Sequence, residues 1–155
     1  MRKEATIQAK VGVGIEAFWN ALSKDLISVV PKAIPNFVTD IEVIEGDGGP
    51  GTVFIFNFGS GITHMSYQKE KIVDFDESLH QIGLEVIEGG YLNLGFSSYK
   101  TIFQLTAGGE SETIVDAKMV YETEAEETDP MPLQTTKSTL TFIKCLEDYL
   151  LNQGS

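Results

Sequence analysis

The feature that most constrains the fold of this chain is its last amphipathic stretch, residues 129–152. Apolar and hydroxyl-bearing residues recur there at helical spacing and share one face: Thr135, Thr139, Phe142, Ile143, Leu146, Tyr149 and Leu150. A helix that only seals a dry core is usually apolar along its whole inner face, but the first half of this face carries threonines. The stretch predicts one long helix, and periodicity alone leaves open whether its threonines pack in a core or line a cavity.

We expect this helix to begin at Asp129, whose carboxylate is a suitable cap for free N–H groups. Pro130 and Pro132 fit the first turn, where a missing N–H costs nothing. The opposite face is mostly polar and is expected in solvent: Lys137, Thr141, Lys144 and Asp148.

Between residues 37 and 123, short runs with apolar alternation are separated by glycine-rich or acidic turns, which predicts six consecutive strands. A strand at residues 5–11 and two short helices, from Ile15 and from about Lys24 to Ala33, precede them, with Pro31 at the frayed end of the second helix. This order favours an α+β fold over alternating βαβ units. A twisted sheet of seven strands must curl, so we expect the long helix to lie in its concave side.

The strand predicted at residues 64–75 carries the most informative polar residues. Lys69 and Lys71 are two positions apart and are expected to face solvent. Strict alternation then points Gln68 and Glu70 to the interior, where they need hydrogen bonds. A bulge or a position at the sheet rim would place them in water instead. We favour their role as polar anchors in an apolar pocket, the usual design of a small-molecule site.

Composition excludes several classes of function. A net charge of -12 over 155 residues disfavours nucleic acid and anionic membranes as partners. The length predicts one domain over residues 1–155, and we find neither a membrane-spanning run nor a secretory signal. The single cysteine, Cys145, fits a cytoplasmic protein, and two histidines (His64 and His80) are too few for a histidine-based metal centre. We therefore expect no metal and no cofactor. The acidic residues between 122 and 129 are interpreted as a solvated loop.

Two glycine turns carry a resemblance to a known family. Residues 45–52 (EGDGGPGT) form a predicted hairpin loop, because they lack the ending of a phosphate-binding loop and lead into a strand. Together with residues 86–92 (VIEGGYL), they resemble the two signatures of the plant pathogenesis-related class-ten family, which includes the major birch-pollen allergen. The resemblance covers essentially the whole chain. It implies a helix-grip fold, in which a curved seven-stranded sheet surrounds a long C-terminal helix and a large internal cavity.

Within that family the chain is most similar to the legume cytokinin-specific, or phytohormone-binding, proteins. The similar segments are LSKD at 22–25, VVPK at 29–32, FNF at 56–58, SYQ at 66–68, FDES at 75–78, IGL at 82–84 and STL at 138–140. The resemblance implies that Gln68, Glu70 and Thr139 contact a hormone, as does the position of Phe142, where the subgroup has tyrosine. With inward-facing residues of the other elements, the predicted ligand-binding set is Leu22, Phe56, Gln68, Glu70, Tyr99, Thr101, Thr139 and Phe142.

Norcoclaurine synthases resemble the chain through the same glycine turns, and they offer an enzymatic alternative. Of the four groups that the resemblance implies for that chemistry, the chain keeps only Glu70. Gln68, Ile82 and Thr101 occupy the places of the tyrosine, the lysine and the aspartate. One carboxylate without its acid partner is a poor acid–base set, so we predict a protein that is not an enzyme and has no catalytic residues.

The predicted function is binding of small plant hormones, either cytokinins such as trans-zeatin or gibberellins, by a carrier, sink or modulator. A norcoclaurine-synthase-like enzyme of alkaloid metabolism and a general pathogenesis-related ligand carrier remain the alternatives.

Overall fold

The computed structural model describes residues 2–62, 65–123 and 131–153, leaving aside the side chains at positions 94, 131–135 and 153. Across these ranges, seven strands form one antiparallel sheet: β1 Arg2–Val11, β2 Val38–Glu45, β3 Val53–Phe58, β4 Tyr67–Asp76, β5 Gln81–Gly89, β6 Phe96–Gly109 and β7 Glu112–Thr123. The helices of the same ranges are α1 Ile15–Leu22, α2 Leu26–Ala33 and α3 Met131–Gln153, with a short 3-10 helix at Gly90–Leu94.

The sheet is a meander that is extended by the first strand. Its order is β1-β7-β6-β5-β4-β3-β2, so every strand from β2 to β7 lies beside its neighbour in sequence, and β1 lies beside β7. Short turns between consecutive strands favour this arrangement, because they bring adjacent segments together with little loss of entropy. The predicted α+β class and the six-stranded meander are confirmed.

The second half of α3 packs against the rest of the fold. Ile143 and Leu146 are completely buried, and the helix contacts α1, α2, β1 and β7. The backbone N–H of Gly12 donates a 2.6 Å hydrogen bond to Glu147 Oε2, which ties this half of α3 to the loop after β1. Neither α3 nor any other helix in the described ranges has the length and apolar character that crossing a membrane requires.

Several predicted boundaries differ from the structure. β1 begins at Arg2, three residues earlier than predicted, because its alternation continues through charged residues that face solvent. α2 begins at Leu26 and includes Pro31, and it closes with a 3.0 Å hydrogen bond from Ile34 N–H to the Val30 carbonyl. β4 begins at Tyr67. The predicted start of that strand at residue 64, the cap at residue 129 and the acidic residues 124–129 lie outside the described residues.

The glycine-rich segment between β2 and β3 is a hairpin loop, as predicted. Thr52 closes it, because its hydroxyl accepts a 2.8 Å hydrogen bond from Gly48 N–H and donates a 2.7 Å bond to the Gly49 carbonyl. Thr52 is completely buried, so these two bonds compensate for the burial of its hydroxyl.

Candidate functional site

A cavity of about 550 Å³ lies between the sheet and the helices. Its described wall is mainly aliphatic and aromatic, with a few polar groups, the usual composition of a small-molecule site. All eight residues of the predicted ligand-binding set line it: Leu22, Phe56, Gln68, Glu70, Tyr99, Thr101, Thr139 and Phe142. Their contact with a ligand stays a prediction.

β4 contributes the polar pair that the sequence predicted. The strand pairs Phe56 with Gln68 and Phe54 with Glu70 across the β3–β4 ladder, so these side chains share one face of the sheet. Two register shifts occur in the β4–β5 ladder: the extra residue is Ile87 on β5 at the first and Val73 on β4 at the second. The second shift lies beyond Ile72, so the alternation of β4 is intact from Gln68 to Ile72, and both polar side chains line the cavity.

Gln68 links this pair to the next element of the chain. Its side-chain Nε2 donates a 3.1 Å hydrogen bond to Glu70 Oε2, and its Oε1 accepts a 3.2 Å hydrogen bond from the backbone N–H of Tyr91. Since Gln68 is only 7% exposed, these bonds set the orientation of its amide and with it the position of the Glu70 carboxyl group.

Gly90 makes this contact possible. Its φ of 51° lies in the left-handed region, and a Cβ at this position would overlap the Gln68 side chain. The sequence predicted a simple turn here, but residues Gly90–Leu94 form a 3-10 helix. A helix this short leaves no periodic pattern in the sequence, because one turn gives no repeat.

The electrostatic state of Glu70 is unusual for a carboxyl group. Burial raises its pKa from 4.5 to about 7, although the hydrogen bond from Gln68 acts in the opposite direction. The residue is partly exposed and borders the cavity, and the protein atoms around it weaken its hydration. A carboxyl group with this pKa is present in both protonation states near neutral pH, so it can both accept and donate a proton.

Tyr91 lies beside this carboxyl group and was not among the predicted site residues. Its ring stacks on that of Tyr99 with centroids 4.3 Å apart. Burial raises the pKa of the Tyr91 phenol, and the negative charge of Glu70 raises it further, against the effect of hydrogen bonds with Ser138 and Tyr99. The phenol therefore stays neutral and keeps its proton. The aromatic residue directly after the second glycine turn was the signal that could have identified it.

α3 forms the remaining wall and part of the cavity rim. Thr139 and Phe142 line the cavity as predicted, and the Phe142 ring lies 6.0 Å from that of Phe103. Lys137 and Thr141 also border the cavity, although the helical wheel assigned them to the solvent face. Both are exposed. A wheel divides a helix into two faces, whereas a helix beside a cavity opening has side chains that are both exposed and adjacent to the cavity. The side chain of residue 135 lies outside the described ones.

Comparison with known proteins identifies a family. A family model described as "Pathogenesis-related protein Bet v 1 family" matches residues 2–153. Norbelladine synthase of Narcissus pseudonarcissus is 27% identical over 156 residues, which cover 100% of this chain and 96% of that protein. Major strawberry allergen Fra a 1-E of Fragaria ananassa is 32% identical over 108 residues, or 70% of this chain and 67% of that protein.

The solved structures that are similar to this chain include norcoclaurine synthase of Thalictrum flavum. A point mutant of that enzyme, in complex with a transition-state analogue, is 25% identical and has a TM-score of 0.81, covering 100% of this chain and 98% of that one. A second structure of the same enzyme, in complex with dopamine and hydroxybenzaldehyde, has a TM-score of 0.76 at 22% identity, covering 100% of this chain and 90% of that one.

These comparisons correct one prediction. The prediction that the protein is not an enzyme is wrong, since relatives that match the full length of the chain are named synthases. That prediction followed from the loss of three groups that one particular reaction needs. Glu70 is retained, and its pKa near 7 becomes visible only in the folded protein. The predicted family and helix-grip fold are confirmed.

Proposed function

The chain belongs to the pathogenesis-related Bet v 1 family. We propose that it binds an arylethylamine in its cavity and catalyses condensation of that amine with an aldehyde. Glu70 is the proposed proton-transfer group. The observation that carries this proposal is a carboxyl group with a pKa of about 7 on the wall of a largely apolar cavity. The names of the relatives add support, because two of them are synthases.

The reaction moves two protons from the amine nitrogen to the aldehyde oxygen. As the nitrogen forms its bond to the aldehyde carbon, Glu70 accepts the first proton and passes it to the oxygen, which becomes a hydroxyl group. Glu70 then transfers the second N–H proton to this hydroxyl group, which leaves as water while the imine forms. In this proposal the Tyr91 phenol, which is neutral, donates a hydrogen bond to the carbonyl oxygen and stabilises the negative charge that develops there.

Three cavity residues distinguish this site from that of norcoclaurine synthase as the sequence resemblance describes it. Gln68, Ile82 and Thr101 all line the cavity at the places of the tyrosine, the lysine and the aspartate. An isoleucine cannot polarise a carbonyl group. We therefore infer that Tyr91 supplies this polarisation in place of the lysine.

The proposal is tested with dopamine and 4-hydroxybenzaldehyde, by following aldehyde loss and condensation product above the uncatalysed background. We expect Glu70→Gln to lower the catalysed rate by about a hundredfold, the typical contribution of a general acid–base group. Glu85→Gln is the matched control, because Glu85 lies on β5 opposite Lys71 and Lys100 and outside the cavity lining. A wild-type rate equal to background, or equal rates for wild type and Glu70→Gln, would refute the proposal.

A second candidate function is hormone binding of the cytokinin type. Gln68 and Glu70 favour it, because a carboxamide next to a carboxyl group offers donors and acceptors to the N–H groups and ring nitrogens of an adenine-type ligand. Gibberellins, which are acids, would instead need the neutral form of Glu70 and the hydroxyl of Thr139.

Calorimetric titration against trans-zeatin, gibberellic acid and abscisic acid tests this candidate. We expect a dissociation constant in the micromolar range for trans-zeatin, and at least a fivefold loss in Glu70→Ala because a buried donor of the ligand loses its acceptor. If none of the three compounds binds more tightly than about millimolar, the hormone-binding proposal fails.

A further inference from the structure

We propose that the cavity selects amphoteric aromatic ligands, which direct an N–H group toward Glu70 and carry an anionic group, such as a carboxylate, at the Lys137 rim. The inference rests on the proposed function, and it adds the charge pattern of the ligand. It comes from two oppositely charged side chains that border one apolar cavity.

Lys137 and Glu70 are the two charged residues of the described cavity wall. The other described residues that line it are apolar or carry neutral polar groups. Within the part of the chain that the structure describes, Lys137 is one of the lysines that form no ion pair, so no carboxylate neutralises its charge. In a chain with 23 acidic and 11 basic residues, Lys137 contributes to the rim of the cavity a positive charge, opposite in sign to the net charge of the chain.

The two charged groups differ in depth. Glu70 lies on β4 and accepts a hydrogen bond from Gln68, which is 7% exposed. The buried Tyr99 lines the same cavity. Lys137 is exposed on α3, next to Ser138, which hydrogen-bonds the Tyr91 phenol. A lysine at such a position packs its aliphatic part along apolar surface and keeps its ammonium group in water. A ligand that fills the cavity therefore meets a proton acceptor inside and a cation at the rim.

The test uses two ligands of the same shape: 4-(2-aminoethyl)benzoate and 4-(2-aminoethyl)benzamide. Both are arylethylamines, and they differ in one negative charge. At low ionic strength we expect the wild-type protein to bind the benzoate about fivefold more tightly than the benzamide, the effect of one exposed ion pair. We expect this preference to disappear at about 1 M salt, where the Debye length is about 3 Å.

Charge-reversal variants identify the lysine responsible. Lys137→Glu is expected to abolish the preference for the benzoate and to favour the benzamide severalfold, while Lys137→Arg keeps the wild-type preference. Lys32→Glu is the control, because it changes the net charge by the same amount from an exposed position outside the cavity lining.

The outcomes separate this inference from the proposed function. If dopamine and both test amines bind but the two test amines bind equally well, the role of Lys137 is overturned and the proposed function stands. The role of Lys137 is also overturned, and the proposed function again stands, if Lys137→Glu and Lys32→Glu change the preference equally. The net charge of the protein would then explain the preference. If neither dopamine nor either test amine binds to the wild-type protein, the proposed function fails and this inference fails with it.

Discussion

Replacing Glu70 by glutamine should remove a pH-dependent cost of folding. Burial raises the pKa of this carboxyl group from 4.5 to about 7, and one pKa unit corresponds to about 1.4 kcal/mol. Ionising Glu70 inside the folded protein therefore costs about 3 kcal/mol more than in the unfolded chain, an upper value because water in the cavity would reduce it.

The sign follows from proton binding. Between about pH 4.5 and pH 7 the folded state holds a proton on Glu70 that the unfolded chain has lost, so the contribution of Glu70 to stability falls as pH rises. The glutamine variant is neutral at every pH and lacks this loss. We expect the free energy of unfolding of Glu70→Gln, minus that of the wild type, to rise by about 3 kcal/mol from pH 4 to pH 8, mostly between pH 5 and pH 7.

Urea unfolding measures this difference, with the fluorescence of Trp19 as the signal, since Trp19 is the single tryptophan and is 4% exposed. Glu85→Gln, on the other face of the sheet, controls for the loss of one carboxyl group, and we expect no rise of comparable size. A flat difference for Glu70→Gln between pH 5 and pH 8 would refute the reasoning. It would show that water in the cavity hydrates the carboxylate as well as bulk solvent does.

Two further perturbations test the surroundings of the cavity by the same unfolding measurement. Gly95→Ala should cost about 1 kcal/mol, because only the positive φ is strained and nothing lies within 4 Å of the new Cβ. Gly90→Ala should cost at least about 1 kcal/mol more, because its Cβ also overlaps a side chain, and equal losses would argue against that overlap. Glu147→Gln should cost about 1–2 kcal/mol through its weakened bond to Gly12, while the exposed Asp148→Asn should stay within about 0.5 kcal/mol of wild type. A Glu147→Gln variant as stable as Asp148→Asn would show that this bond does not hold α3 in place.

The sequence predicted the inner wall of the cavity better than its rim. Side chains on a strand alternate with period two, so the lysines at 69 and 71 sufficed to point Gln68 and Glu70 inward. Lys137 was misjudged, because a helical wheel describes a helix without the opening beside it. Tyr91 was missed because its position depends on a short 3-10 helix and on Gly90, neither of which has a periodic signal.

Local patterns in the sequence by themselves determined the α+β class, the six-stranded meander, the long C-terminal helix and the inward direction of Gln68 and Glu70. These properties depend on neighbours in the chain, through backbone periodicity and turn chemistry. Tertiary structure decided the properties that concern function most: the pKa of Glu70, its proximity to the Tyr91 phenol, and the placement of Lys137 at the same cavity. Each of these depends on the distance between elements far apart in sequence and on how much water the folded chain excludes, and both are set only when the sheet and α3 pack together.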